Sequence, residues 1–467
     1  ILLLSDDIRF TSGIATMAKE IVIGTAHKYN WVNLGAAVQH PENGQRLDVC
    51  ADTNKHAGIE DSSVFIYPSS GYGNPDIVRQ LINIEKPDVI MFFTDPRYWI
   101  WLFQMENEIR KKIPMVYLNI WDDLPAPLYN KPYYESCDAL MAISKQTCNI
   151  NKMVLGNKAK DKVIKYVPHG INEDMFYPIT KDMTEDYAKV QEMKKRVFKE
   201  DTPEYVVLYN ARNIRRKCTS DLIAAYAQFC DKIGKEKAKK CALVLHTQPA
   251  DENGTDLPAV IDLLCDPEYQ KVYFTGGLFS TQDMNYLYNI SDVITLVSSN
   301  EGWGLSITEG MMCGKPFIAT VTGGMQDQMR FEDENGKWLE LSPELPSNHF
   351  GTYKKHGKWA FPVFPSNMSI VGSIPTPYIF DDRADFRDIA DRIEEVYNLS
   401  PEDRAERGRA AREWVTSDES MQSARWMSKN VIDTVDTTLK QWTPRPTYEF
   451  IKVDKLPRKK IVHPLVY

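Results

Sequence analysis

Short apolar runs alternate with stretches of helical periodicity along most of the chain. In the first third, Ile1–Leu4, Val64–Tyr67, Val89–Phe93, Met115–Ile120 and Ala139–Ile143 read as buried strands, and Ile14–Ala26 and Asp76–Glu85 as helices between them. Apolar runs of this length, separated by helices, belong to parallel sheets covered on both faces. At Lys165–Gly170 a strand ends in a Pro-His-Gly turn, and a charge-rich stretch over Thr180–Asp201 follows. A second alternation then begins, with strands at Tyr205–Tyr209, Ala242–His246, Val272–Phe274, Val293–Val297 and Pro316–Thr320. Helices are expected between them at Asp221–Ile233, Leu257–Leu264, Gln282–Tyr288 and Ser306–Met312.

The pattern predicts an α/β protein with two Rossmann-like, doubly wound domains facing across a cleft. The expected boundaries are 1–168, 169–415 and a C-terminal helix and tail over 416–467 that crosses back to the first domain. Glycine, proline and aromatic residues break the alternation over 321–380, and an insertion at about 325–380 is expected there. Helical periodicity returns at Asp385–Tyr397, Pro401–Trp414 and Ser417–Leu439, before a proline-rich tail that ends near Lys459-Lys460.

Composition narrows the class without naming it. A chain of 467 residues, 43% hydrophobic and 26% charged, has ordinary globular composition, so a mostly disordered molecule is excluded. A net charge of −8 argues against a surface that grips nucleic acid everywhere, while leaving a local basic groove open. No apolar run approaches the length of a membrane span. The opening Ile1-Leu2-Leu3-Leu4 is too short for a signal-peptide core, and the missing Met places the expected start just upstream. The eight cysteines include no C-x-x-C pair and read as buried reduced thiols, which gives a cytoplasmic expectation.

The densest chemistry lies at Ser298-Ser299-Asn300-Glu301-Gly302-Trp303-Gly304-Leu305-Ser306-Ile307-Thr308-Glu309-Gly310. Gly302 and Gly304 would let backbone approach a ligand, and the first N–H groups of the following helix, at Leu305 and Ser306, suit a diphosphate. Glu301 in the loop can reach a sugar. Glu309, more than one turn inside the helix, can accept both hydroxyls of a ribose. A glycine-bearing turn carrying two surface glutamates accounts for the same residues and stays open at this point.

These residues resemble the E-G-x-G-L-x-x-x-E motif of the retaining glycosyltransferases of family four (glycogen synthase-like, group 1), which have the GT-B fold. Asn210-Ala211-Arg212-Asn213-Ile214-Arg215-Arg216-Lys217 is similar to that family's diphosphate-gripping Arg and Lys, at Arg212 and Lys217. Val167-Pro168-His169-Gly170-Ile171-Asn172 resembles its entry into the second domain, which makes His169 a boundary residue rather than a base. Gly314-Lys315-Pro316-Phe317-Ile318-Ala319-Thr320, followed by Gly323-Gly324, matches a further segment. Ser12 and Gly13 occupy the place of a glycine pair beside the donor phosphates. Where the family often shows His-Asp, this chain has Trp121-Asp122-Asp123, which brings a pentose donor into consideration beside a hexose.

The resemblance implies a nucleotide-sugar donor, most commonly UDP-linked, with no further cofactor, and transfer with retention. It casts Glu301, Arg212, Lys217 and Asp122 as the catalytic group. Ser12, Gly13, Arg212, Lys217, Gly302, Trp303, Gly304, Leu305, Ser306 and Glu309 would hold the donor. No D-x-D tripeptide and no zinc spacing occurs, so no metal is expected. Gly314-Lys315-Pro316 lacks the spacing and the Ser or Thr of a P-loop.

For the acceptor, Asp123, Tyr353, Lys354, Lys355 and Trp359 are the candidates. No acidic residue falls between Glu344 and Asp381, and His349–Phe361 mixes cations with aromatics. Such a face can hold phosphates and stack bases, receive a glycan, or pack as an ordered loop. Ser12–Thr16 and Gly323–Gln328 resemble phage-encoded members that decorate hydroxylated or hydroxymethylated pyrimidines in DNA. The competing expectations are an enzyme of polysaccharide or lipopolysaccharide synthesis and a catalytically idle nucleotide-sugar-binding module. No segment specifies an oligomeric state.

Overall fold

The structure is a computed structural model, described for residues 1–199, 201–340, 342 and 351–446. Its first sheet comprises β1 (Leu2–Asp6), β2 (Trp31–Val38), β3 (Leu47–Asp48), β4 (Val64–Ser70), β5 (Ile90–Phe93), β6 (Met115–Asn119), β7 (Ala139–Ala142) and β8 (Val163–Tyr166). They run in the order β3-β4-β2-β1-β5-β6-β7-β8. Only β3 is antiparallel to its neighbour. Leu2 pairs with Val32 on one side and Ile90 on the other, which puts the chain's first apolar run at the centre of the sheet.

The second sheet is parallel throughout, in the order β11-β10-β9-β12-β13-β14. Its strands are β9 (Tyr205–Asn210), β10 (Cys241–His246), β11 (Val272–Phe274), β12 (Val293–Leu296), β13 (Phe317–Thr320) and β14 (Ala360–Val363). A separate antiparallel hairpin joins β15 (Asn367–Ser373) to β16 (Thr376–Arg383). Among the described residues no helix is long and apolar enough to cross a membrane.

Three elements depart from the expected pattern. β2 carries Asn33 and Gly35 inside an apolar run. Asn33 is fully buried because its side-chain amide donates to the Leu3 carbonyl and to Ser5, so a polar residue sits in a central strand at no cost in lost hydrogen bonds. The charge-rich stretch after Gly170 holds a helix, Thr184–Phe198, which buries Val190, Met193, Val197 and Phe198 at helical spacing. The expected insertion is not structureless: it holds a short helix (Met325–Met329), the sixth strand of the second sheet and the hairpin. Pro362 obscured β14 in the sequence, and an edge strand is where a sheet accepts proline.

The last helix, Ala424–Gln441, packs on the Gly13–Thr25 helix of the first sheet. A Cβ at Gly24 would stand 1.9 Å from the Ser428 hydroxyl oxygen, so glycine sets how closely the two helices approach. Tyr29 donates to Asp436 at 2.7 Å, and Lys28 pairs with the same carboxylate. The two segments that pass between the sheets are zipped together, Ile171 N–H to the Gln422 carbonyl and Ala424 N–H to the Ile171 carbonyl. Beyond this helix Arg445 pairs with Glu106 at 2.6 Å, and the tail from 447 onward, Lys459-Lys460 included, lies outside the described residues.

Gly170 sits where these segments cross, and a Cβ there would lie 2.3 Å from the Ser423 carbonyl oxygen. Backbone cannot swing aside as a side chain can. Gly170→Ala is expected to lower unfolding stability by about 1–3 kcal/mol in urea melts, the usual cost of overpacking a tight contact.

Candidate functional site

The carboxyl ends of the two sheets converge on one cavity of about 480 Å3. Ser12, Gly13, Arg97, Trp121, Asp122 and His169 line it from the first sheet's side. Arg216, Glu301, Gly302, Trp303 and Leu305 face them, and Thr376 and Ile379 of the hairpin complete the wall. Ligands of open parallel sheets bind at this end of the strands.

The Glu301 loop is shaped by glycines pressed against backbone. A Cβ at Gly302 would lie 2.9 Å from the Ile120 carbonyl oxygen, so this glycine lets the two halves close on one another. Behind the loop, Gly323, at φ +50°, and Gly324 fit flush against it. Cβ atoms there would stand 2.2 Å from the Glu301 carbonyl oxygen and 2.0 Å from that of Gly302. The Gly324 N–H donates to the Glu301 carbonyl at 2.9 Å.

Glu301 is 6% exposed and heavily bonded. Its Oε2 takes an ion pair from Lys217, another from Arg216 at 3.1 Å and a hydrogen bond from Ser298 at 3.2 Å. Burial alone would raise this carboxyl, but the two cations outweigh it and hold Glu301 below the usual carboxylate value. Arg216 also donates to the Asn300 carbonyl at 2.7 Å. Burial opposes its charge, yet Glu301 and Asp122 keep its pKa above the ordinary arginine value. Burial lowers the Lys217 ammonium, with Glu301 opposing.

Arg212 is not part of this group. Its guanidinium, 61% exposed, pairs with Asp251 at 2.8 Å outside the cavity lining. Within this segment the arginine that reaches the cavity is Arg216, next to Lys217 in the Arg215-Arg216-Lys217 turn. Sequence reasoning passed over it although the run of three cations was visible.

A Cβ at Gly13 would lie 3.3 Å from the Leu305 side chain, so the two helix starts meet closely at the edge of the cavity. Ser12 caps its own helix, accepting from the Ala15 N–H at 3.1 Å, and donates to Asp6 at 2.6 Å. The Leu305 N–H is already bonded to the Trp303 carbonyl at 3.1 Å, so it is not the open donor the motif promised. Trp303 and Ser306 are buried; Trp303 donates its indole N–H to Thr308 at 3.1 Å. The Gly304 carbonyl accepts from the Gln328 side chain at 2.7 Å.

Glu309 does not line the cavity; it lies deeper in the Leu305–Met312 helix, where it accepts a hydrogen bond from Tyr288, which in turn accepts from Asn210. Burial pushes its carboxyl up to about 7, with Tyr288 opposing. The folded state holds this proton between its unfolded value near 4.5 and about 7, so the contribution of Glu309 to stability declines as pH rises through that window, and Glu309→Gln should flatten that decline in urea melts.

The two aspartates after β6 divide. Asp122 faces the cavity, its carboxyl raised by burial, with Arg216 opposing and Glu301 adding to the rise. Asp123 is 1% exposed, and neither carboxyl oxygen has a hydrogen-bond partner. Burial, then Asp122 and Asp382, raise its pKa well above the carboxylate range. It is sealed from any acceptor, contrary to expectation. His169 stands in the cavity wall against Phe93, and burial lowers its imidazole to about 3, so it is neutral at working pH.

The remaining acceptor candidates do not gather at the cavity. Trp359 is buried, stacked on Trp414 at 5.8 Å, and donates its N–H to the Gln328 carbonyl at 3.0 Å; it is a core residue. Tyr353 packs half-buried on the core, while Lys354 and Lys355 are exposed elsewhere. His349 and Phe350 lie outside the described residues. What approaches the cavity instead is the hairpin, tied across it by Phe380 N–H to the Leu124 carbonyl at 2.8 Å and by Tyr129 to the Tyr378 carbonyl at 2.8 Å. Among the described residues no group of three or more His, Cys, Asp or Glu could hold a metal ion.

Comparison with known proteins places this geometry. Residues 190–340 match the family model Glycosyl transferases group 1. No protein with a curated description matches the chain. Among solved structures, HepE of Anabaena, in complex with UDP and glucose, is similar at 14% identity and a TM-score of 0.63, covering 93% of this chain and 99% of its own. Sucrose-phosphate synthase of Thermosynechococcus elongatus is similar at 14% identity and 0.64, covering 94% and 98%. A glycosyltransferase of Rickettsia africae gives 16% and 0.60, covering 94% and 98%. The chain has the GT-B fold of two Rossmann-like domains, and residues 190–340, within which most of the second sheet lies, are the part that matches the group 1 model.

Proposed function

We propose that this chain is a glycosyltransferase that moves a sugar from a UDP-sugar to an acceptor hydroxyl with retention at the anomeric carbon. The observation that carries the reading is the ion-paired Glu301–Arg216–Lys217 cluster, whose Glu301 and Arg216 share one cavity with Ser12, Gly13 and Asp122. The group 1 family match and the UDP and glucose bound by the Anabaena neighbour support the donor class.

The chemistry follows from the charges. As the glycosidic bond to the β-phosphate breaks, negative charge grows on the leaving group, and a fixed cation at the cavity wall stabilises it without reorganising. Arg216 is that cation. Glu301, already ion-paired and held ionised, is not a free base; it holds donor hydroxyls and stabilises positive charge on the sugar ring. Asp122 stands across the cavity to orient the incoming hydroxyl. No protein nucleophile is assigned, and the incoming oxygen enters on the face the nucleotide leaves.

For the acceptor we propose a hydroxylated or hydroxymethylated pyrimidine in DNA. Support comes from the resemblance of Ser12–Thr16 and Gly323–Gln328 and from an aromatic pair beside the cavity. Tyr72 and Tyr98 stack at 4.6 Å next to the cavity-lining Pro96 and Arg97, and Tyr98 is 56% exposed. An extruded base stacks on such a ring. The second reading, a neutral glycan acceptor, is favoured by Asp122 and Glu301 on the cavity wall, two acids that suit sugar hydroxyls and oppose a phosphate.

The test is a transfer assay with UDP-, GDP-, ADP- and dTDP-sugars against hydroxymethylated DNA, unmodified DNA and neutral oligosaccharides, with the product anomer read by NMR. The proposal expects a UDP-sugar and modified DNA to give product of retained configuration. Product on oligosaccharide alone selects the second reading. Binding without turnover on any acceptor identifies an idle nucleotide-sugar-binding module instead.

A further inference from the structure

A second cavity, of about 490 Å3, opens at the amino ends of β12 and β13, the edge of the second sheet opposite the donor cavity. Its walls carry Lys315, Arg404, Arg409 and Arg412 against only two acids, Asp292 and Glu413. That is a local excess of positive charge on a chain of net charge −8.

The geometry is built by the Pro401–Val415 helix. Gly408 presses on the loop after the Leu305–Met312 helix, where a Cβ would lie 1.9 Å from the Gly314 carbonyl oxygen. Arg404 and Arg412 stand one turn to either side of that contact, which sets two guanidinium groups around Lys315. Among the described residues, neither Lys315, Arg409 nor Arg412 has a carboxylate within ion-pairing distance. The Lys315 ammonium donates to the Asn289 carbonyl at 3.2 Å, and Arg412 to the carbonyls of Phe176 and Met312. Arg404 is held by the protein itself, its Nε 3.6 Å from Asp292 and its Nη1 donating to the Tyr397 and Leu399 carbonyls at 3.2 and 2.7 Å. Three cations on one cavity with no carboxylate in pairing range make that cavity receptive to an anion. Burial lowers both Lys315 and Arg412, with Asp292 opposing at Lys315 and Cys313, Glu173 and Asp174 opposing at Arg412.

We infer that this cavity is a binding site for a phosphorylated small molecule, distinct from the donor cavity. Ile179 and Pro316 give the cavity an apolar floor, so the class is a phosphorylated organic compound rather than a bare ion. The site can reach the reaction through Arg412. That side chain holds the Met312 carbonyl, at the far end of the helix that begins beside Glu301, and the Phe176 and Glu173 carbonyls in the segment joining the sheets.

Calorimetric titration of glucose 6-phosphate and of inorganic phosphate tests this, with wild type, Arg409→Glu, Lys315→Gln and the front-cavity variant Arg216→Ala. Arg409 is exposed, so its reversal leaves the fold intact. The expected result is binding of glucose 6-phosphate that weakens about tenfold or more in Arg409→Glu and Lys315→Gln and is unchanged in Arg216→Ala. Binding lost in Arg216→Ala but retained in Arg409→Glu would place the phosphate in the front cavity and overturn the inference. So would the absence of binding to wild type at millimolar ligand.

Discussion

Glu301→Gln is expected to reduce kcat by about 100-fold or more at saturating donor, because the group proposed to position the sugar also anchors the cations around it. The amide keeps the side chain's shape and can still accept from Ser298, but it removes the charge that Lys217 and Arg216 share. Lys217 is only 9% exposed, so its ammonium would be left buried with a weaker partner. Breaking a buried pair from one side costs about 3–5 kcal/mol of stability. The two effects separate in practice: urea unfolding reads the second, and kcat measured well below the transition reads the first. A variant that loses stability yet keeps its turnover would make Glu301 a structural residue.

The second large effect distinguishes two arginines. Arg216→Ala should lower kcat/KM by about 10²–10³-fold, the usual consequence of removing a fixed donor from a developing anion. Arg212→Ala should change it by no more than a surface ion pair is worth, about 1 kcal/mol or less. The prediction rests on placement alone: Arg216 lines the cavity and binds Glu301, while Arg212 is 61% exposed on Asp251. Steady-state kinetics on both variants with one UDP-sugar decide it. Equal losses would return Arg212 to the diphosphate.

Much of this architecture was legible because the sheets are parallel and buried on both faces, so their strands appear as plain apolar runs. Tyr205–Tyr209, Ala242–His246, Val272–Phe274 and Pro316–Thr320 each coincide with a strand within a residue or two. Legibility failed where a polar residue was satisfied by tertiary partners, as with Asn33 in β2, or where proline marked an edge rather than a break, as in β14. At the site, the spacing from Glu301 to Glu309 and the paired glycines located the loop, since backbone contacts at 2.2 Å and 2.0 Å permit nothing larger than glycine at Gly323 and Gly324. Which arginine turns inward depends on the backbone of a short turn, and residue type alone gives no direction. Trp359 misled for the reverse reason: an aromatic among lysines looks like a surface platform until Trp414 is found beneath it.

The central claim is that a nucleotide diphosphate lies between the Ser12–Gly13 turn and the Arg216–Glu301 cluster. A crystal structure of the protein grown with UDP tests it directly, through the position of the β-phosphate. The account predicts that phosphate within hydrogen-bonding distance of Arg216, inside the cavity lined by Ser12, Gly13 and Glu301. A β-phosphate bound against Arg212 and Asp251, or UDP lodged outside the cleft between the sheets, would contradict it.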